Sequence, residues 1–115
     1  MKVLVTWRLP EAGLAELRKE CQVEVNQLER VYTREELQRA LADKEAILGV
    51  FNRMDQATID AAPHLKIISN FGVGYDKIDI AYATKKGIVV TYLPAAVTES
   101  TAEMSWALLL ALTRR

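Results

Sequence analysis

The residues best placed to do chemistry are Gly72, Val73 and Gly74, in the stretch Leu65-Lys66-Ile67-Ile68-Ser69-Asn70-Phe71-Gly72-Val73-Gly74-Tyr75-Asp76. A short, β-branched apolar run ends there in a loop with two glycines. Without side chains at 72 and 74, the backbone around Val73 is open to close approach by a ligand. Successive N–H groups in such a loop form a concave, partly positive nest suited to a carboxylate or a phosphate. We read the loop as the functional site, against the plainer reading of a tight strand-to-helix turn. Other reactive side chains offer less. Cys21 is the one cysteine, which excludes an internal disulfide and a multi-cysteine metal site, and no nearby histidine activates it. His64, between Pro63 and Leu65, has no partner in sequence and is not expected to be an acid–base group. Asp76 and Asp79 read as helix caps, and no metal site is expected.

The run before the loop suits a strand buried on both faces of a parallel sheet. In open α/β sheets, ligands bind at the carboxyl ends of such strands. The remaining elements fit that frame. Residues 2–7 read as a first strand and Pro10 as the first position of a helix reaching about Glu20. Val23 to Val25 form a second strand. Thr33 to Glu36 make a capping box, with Leu37, Ala40 and Leu41 on one apolar face of the helix that follows. Residues 46–51 are a third strand, and Asp55 caps a short helix carrying Ile59 and Ala62 that Pro63 ends. A helix from about Asp79 closes at Lys85-Lys86-Gly87, and residues 88–91 are a fifth strand. Five alternations of strand and helix predict an α/β fold, a flavodoxin-like doubly wound parallel five-stranded sheet.

The last helix departs from this pattern. Capped by Thr98, it reads to about Leu112, and Trp106-Ala107-Leu108-Leu109-Leu110-Ala111-Leu112 is apolar all the way round. Such a helix is buried on every side, and one small sheet covers only one face. A second domain or another subunit is expected to cover it, and the chain reads as unfinished. Trp106 is read as packing.

Composition sets the outer bounds. The chain has 115 residues, half of them hydrophobic, with 15 Lys plus Arg against 15 Asp plus Glu. That balance gives no electrostatic reason to expect nucleic acid or an anionic membrane as partner. The amino terminus is too soon interrupted for a signal peptide, and no apolar run approaches the roughly 20 residues of a membrane span. A soluble, cytoplasmic domain is expected.

Residues 65–115 resemble the D-isomer-specific 2-hydroxyacid dehydrogenases, a family that includes glyoxylate/hydroxypyruvate reductases, phosphoglycerate, formate and phosphite dehydrogenases. The matching pieces are Gly72-Val73-Gly74-Tyr75-Asp76-Lys77-Ile78-Asp79, Ala83-Thr84-Lys85-Lys86-Gly87-Ile88, Val97-Thr98-Glu99-Ser100-Thr101-Ala102-Glu103 and the Ala-Leu-rich run ending Thr113-Arg114-Arg115. The amino-terminal half matches more loosely. The resemblance implies a flavodoxin-like substrate-binding domain over residues 1–97 and a helix over 98–115 that crosses toward a Rossmann domain for NAD or NADP. It implies that Gly72, Val73 and Gly74 hold the carboxylate of a 2-keto or 2-hydroxy acid, and that Phe51 and Arg53 face the same cleft. It implies that Thr101 contacts the cofactor and that the subunit pairs as a homodimer. Arg53 and Thr101 also have plainer readings, as a solvated loop residue and a first-turn helix residue. Tyr92-Leu93-Pro94 departs from the relatives' common Asn-Thr-Pro. The family's G-x-G-x-x-G fingerprint, Arg, Glu or Asp, and acid–base His are absent, so no catalytic residue is assigned in this chain, which alone is expected to be inactive. Gly72-x-Gly74 is not that fingerprint, since position 77 is lysine.

Two other functions compete. One is a non-enzymatic, corepressor-like member of the same family. The other is a stand-alone flavodoxin-like module, which Thr6-Trp7-Arg8-Leu9-Pro10 disfavours because it lacks a hydroxyl-rich phosphate loop.

Overall fold

A computed structural model of the chain describes residues 1–50 and 52–114. Five strands, β1 (Lys2–Val5), β2 (Gln22–Val25), β3 (Ala46–Gly49), β4 (Ile67–Asn70) and β5 (Val89–Thr91), alternate with five helices. The helices are α1 (Glu11–Glu20), α2 (Arg34–Leu41), α3 (Gln56–Asp60), α4 (Ile80–Lys85) and α5 (Thr98–Arg114). All strand pairs are parallel, in the order β2-β1-β3-β4-β5. That is the doubly wound order expected, and its direction reverses between β1 and β3. Strands β1, β3 and β5 are one or two residues shorter than the apolar runs suggest, because single pairings such as Thr6 N–H to Leu48 C=O (2.9 Å) continue past the ladder's regular end, while β2 begins one residue earlier than expected, at Gln22.

Local signals place most helix ends. Thr33 accepts from the Glu36 N–H at 3.3 Å, while the Glu36 carboxylate accepts from the Thr33 N–H at 2.8 Å. The Arg30 guanidinium grips the same carboxylate, and with the Thr33 N–H it draws the Glu36 pKa down to about 2. Asp55 caps α3 through the Thr58 N–H, and Asp79 caps α4 through the Tyr82 N–H. Gly87 takes φ +73° after α4, a conformation glycine reaches without a Cβ penalty. Three expectations shift. Pro10 is the N-cap of α1, not its first helical residue; its fixed φ suits either position, and its carbonyl accepts from Gly13 and Leu14. Asp76 lies in the turn before α4 and caps nothing, since Asp79 takes that role. Thr98 is the first residue of α5, and the carbonyl before it, on Val97, accepts the Thr101 N–H at 2.9 Å.

Two apolar layers sandwich the sheet. On one face Leu4, Ile47 and Ile68 meet Leu37 and Leu41 of α2, Ile59 of α3 and Ala83 of α4. On the other, Val3, Val5 and Ala46 meet Leu14 and Leu17 of α1. That second layer stops short of β5, where Val89 is 58% exposed. The sheet is therefore covered on both faces at its centre but on one face at this edge.

Helix α5 leaves the body altogether. No residue of it is buried, and Met104, Trp106, Leu108, Leu109, Leu110 and Leu112 are each at least half exposed. At 1.5 Å per residue it is about 25 Å long, and the molecule measures 55 × 31 × 23 Å. Its radius of gyration is 16.8 Å, against about 13 Å for a compact domain of this length. The chain's own sheet covers no face of this helix, less than the one face expected. Burying each of these large side chains would gain about 1.5–3 kcal/mol. No helix is long and apolar enough to cross a membrane among the described residues.

Candidate functional site

The carboxyl edge of the sheet gathers three loops, and an asparagine near each strand's end fastens the backbone there. After β2, Asn26 is buried; its amide donates to the carbonyls of Thr6 and Arg30, and its oxygen accepts the Leu28 N–H. After β3, the Asn52 amide donates to the Thr6 hydroxyl at 2.6 Å and to the Val50 carbonyl at 3.0 Å. At the end of β4, the Asn70 amide donates to the carbonyls of Gly72 at 3.1 Å and Gly74 at 2.8 Å. Asparagine suits this work because its NH2 group donates twice while its oxygen still accepts.

The glycine loop is held from both sides. Toward β3, Phe71 N–H meets the Gly49 carbonyl, and an isolated parallel bridge joins Met54 to Ile78. In that bridge Met54 N–H donates to Lys77 C=O at 2.9 Å and Asp79 N–H to Met54 C=O at 3.0 Å. Toward α5, the Leu93 N–H donates to the Gly72 carbonyl at 3.0 Å, and Tyr92 stands edge-on to Tyr75 with centroids 5.0 Å apart. Tyr92 and Leu93 thus press on the glycine loop itself. The carbonyls of Gly72, Gly74 and Tyr75 are engaged, whereas the N–H groups of Val73, Gly74 and Tyr75 meet no acceptor among the described residues. Phe71, Val73, Tyr75, Tyr92 and Leu93 form an exposed apolar rim around them. Free, outward N–H groups within an apolar rim can hold a small anion and shed water around it.

Gly49 explains how closely β1 and β3 approach beside this loop. A Cβ on Gly49 would stand 1.9 Å from the Thr6 hydroxyl oxygen and 3.2 Å from the Asn52 amide nitrogen. The Thr6–Asn52 hydrogen bond occupies the space a side chain would need. By contrast, a Cβ on Gly72 would meet nothing nearer than 3.5 Å, and one on Gly74 would meet the Asp76 carboxylate at 3.1 Å. Those two glycines keep the loop's surface bare rather than its interior clear.

The other expected site residues fall as follows. Phe51 lies outside the described residues. Arg53 is largely exposed, and its Nε stands 3.5 Å from the Asp55 carboxylate. With Asp55, Asp76, Lys77, Ile78 and Asp79 it lines an open hollow of roughly 610 Å³. Three aspartates make that hollow a poor host for an anion, and neither Val73 nor Gly74 lines it. Burial pushes the Asp55 carboxyl up, but bonds from Thr58 and Arg34 outweigh it and the net shift is downward. Thr101 sits in the first turns of α5. Nearby Ser100 and Ser105 donate their hydroxyls to the carbonyls of Val97 and Thr101, while the Thr101 hydroxyl has no partner among the described residues. His64 lines a hollow at the opposite, amino edge with Lys2, Glu45 and Lys66. No group of three or more metal-ligating side chains occurs among the described residues.

Sequence reasoning did not single out Thr6, Asn52, Met54 or Asn70 as shapers of the site. Their signal was available in part: an Asn at or just past a strand end, and a glycine closing β3 where an apolar residue would otherwise continue the run.

Comparison with known proteins agrees with this fold. A sequence model described as the catalytic domain of D-isomer specific 2-hydroxyacid dehydrogenases matches residues 3–114. A glyoxylate reductase of Thermococcus onnurineus is 45% identical over 115 residues, covering 99% of this chain and 34% of the relative. The crystal structure of the TT0316 protein of Thermus thermophilus superposes with a TM-score of 0.92 at 37% identity, over 100% of this chain and 37% of that one. An NADPH-dependent glyoxylate/hydroxypyruvate reductase of Sinorhizobium meliloti, solved with NADP and malonate, gives a TM-score of 0.71 at 32% identity, over 95% of this chain and 33% of that one. The chain spans about a third of the length of the curated relatives it matches. By sequence and by fold, it belongs to the D-isomer specific 2-hydroxyacid dehydrogenase family.

Proposed function

We propose that the chain is the substrate-binding domain of an NAD(P)-dependent D-2-hydroxyacid dehydrogenase, with residues 1–97 as its body and 98–115 as the helix crossing to a dinucleotide-binding domain. The observation that carries this reading is the pairing of two features on one molecule. The glycine loop presents free N–H groups at the carboxyl edge of the sheet, and an apolar helix leaves the body bare on every side.

In this reading the N–H groups of Val73 and Gly74 hold the carboxylate of a small 2-keto or 2-hydroxy acid, with bare Gly72 admitting it. The rim of Phe71, Tyr75, Tyr92 and Leu93 excludes water, which strengthens those bonds. Phe51 and Arg53 shape substrate preference from the neighbouring loop, Arg53 after leaving Asp55. The free hydroxyl of Thr101 fits a polar edge of the nicotinamide cofactor, NAD or NADP. When bound, that cofactor supplies or takes up the hydride exchanged at substrate carbon 2. The groups that move the proton and polarise the carbonyl lie outside residues 1–115, so this chain alone is inactive. Assembly as a homodimer and a cytoplasmic location belong to the same reading.

The test is oxidation of NADH and NADPH by the whole protein with glyoxylate and with hydroxypyruvate. Turnover with at least one pairing is expected. No turnover with any pairing contradicts the reading and favours a non-enzymatic member of the family.

A further inference from the structure

We infer that Asn70 is a positioning residue that presets the glycine loop for a carboxylate, an inference that rests on the substrate-binding reading above. In a trans peptide the C=O of one residue and the N–H of the next point in opposite directions, and the described chain contains no cis peptide bond. The Asn70 amide takes the Gly72 and Gly74 carbonyls, at 3.1 and 2.8 Å, so both point inward toward one NH2 group. The N–H groups of Val73 and Tyr75 therefore point the other way, away from Asn70. The Gly74 peptide between them is bracketed by two fixed planes. Leu93 N–H reinforces the first plane from the α5 side by bonding the same Gly72 carbonyl. A loop of two glycines has the widest conformational freedom of any such segment, and this clamp removes it before the substrate arrives.

The chemistry of position 70 is narrow. Both bonds need a donor, and one side chain must supply two. Aspartate has the same shape but, ionised, only accepts. It would repel both carbonyls, free the peptide planes to turn, and add a negative charge beside an anion site. Serine keeps a single donor. The side chain itself need not touch the substrate.

The experiment uses the whole protein with wild-type, Asn70→Asp and Asn70→Ser forms, a 2-keto acid as substrate, and its neutral methyl ester as control. The expected result is a KM for the acid raised roughly 10–100-fold in Asn70→Asp, the scale of one lost charge-assisted hydrogen bond. Asn70→Ser falls between, kcat at saturation changes far less than KM, and the ester's KM does not move. If Asn70→Asp does not fold, Asn70→Ser carries the test by the same acid-against-ester comparison. An active wild type whose variants keep the acid's KM, or lose acid and ester alike, overturns the role of Asn70 and leaves the enzyme reading intact. A wild type inactive on both substrates overturns both.

Discussion

Leu109→Lys lowers the stability of the whole protein by ~4–5 kcal/mol at pH 7 and leaves residues 1–115 on their own nearly unchanged, because a buried lysine gives up its proton at 1.36 kcal/mol for each of the roughly 3.4 units between its free pKa of about 10.4 and pH 7. In the isolated chain Leu109 is 50% exposed, so a lysine there keeps its charge in water. On the proposed reading, the helix that is apolar all round is covered in the whole protein, and the new ammonium there has no partner. A loss of that size consumes much of a typical domain's stability of about 5–15 kcal/mol. Urea unfolding followed by tryptophan fluorescence reads the difference, with Trp106 reporting from the same helix. Small, equal effects in both forms would show that α5 stays in water and would remove the crossing helix from the account.

Gly49→Ala is expected to cost about 1–3 kcal/mol, the usual penalty for forcing atoms into a filled core. The added carbon would lie 1.9 Å from the Thr6 hydroxyl oxygen, and Thr6 is 1% exposed. The hydroxyl must turn away, and Asn52 then loses its 2.6 Å bond. Thr6→Ala removes the clashing oxygen, so the double variant should be more stable than the sum of the two singles predicts. The coupling expected of touching residues is about 0.5–3 kcal/mol. The double variant still lacks the Thr6–Asn52 bond, so Asn52 stays unfastened from Thr6, and substrate KM is expected to rise in it as in the single variants. Chemical denaturation of the four forms gives the cycle. Additive losses, or a Gly49→Ala form as stable as wild type, would contradict a close-packed approach of β1 to β3.

What the sequence made legible follows from how local each signal is. The capping box at Thr33 and Glu36, the caps at Asp55 and Asp79, and the positive φ of Gly87 each depend on residues within one or two turns. All were readable, and all are present. The sheet was readable because five apolar runs alternate with helices, and parallel winding leaves few topologies. The all-round apolar run at 106–112 announced a helix lacking a cover. What stayed hidden depends on pairs far apart in the chain. Thr6 meets Asn52 across 46 positions, Met54 bridges to Ile78, and Leu93 reaches Gly72. No periodicity or local motif encodes such meetings; they exist only once the sheet order brings the strand ends together. Asn70 is a middle case. Its bonds reach only two and four residues ahead, but their purpose shows only when both carbonyls are seen on one amide.

The most direct test of the central claim, that the glycine loop holds the substrate carboxylate, is an amide titration of the whole, isotope-labelled protein. Oxamate, an unreduced mimic of a 2-keto acid, would be added in the presence of NADH while backbone N–H resonances are followed. The account predicts saturable downfield shifts largest at Val73 and Gly74, with the amino edge around His64 silent. Shifts confined to the hollow of Arg53 and Asp79, with Val73 and Gly74 unmoved, would contradict it.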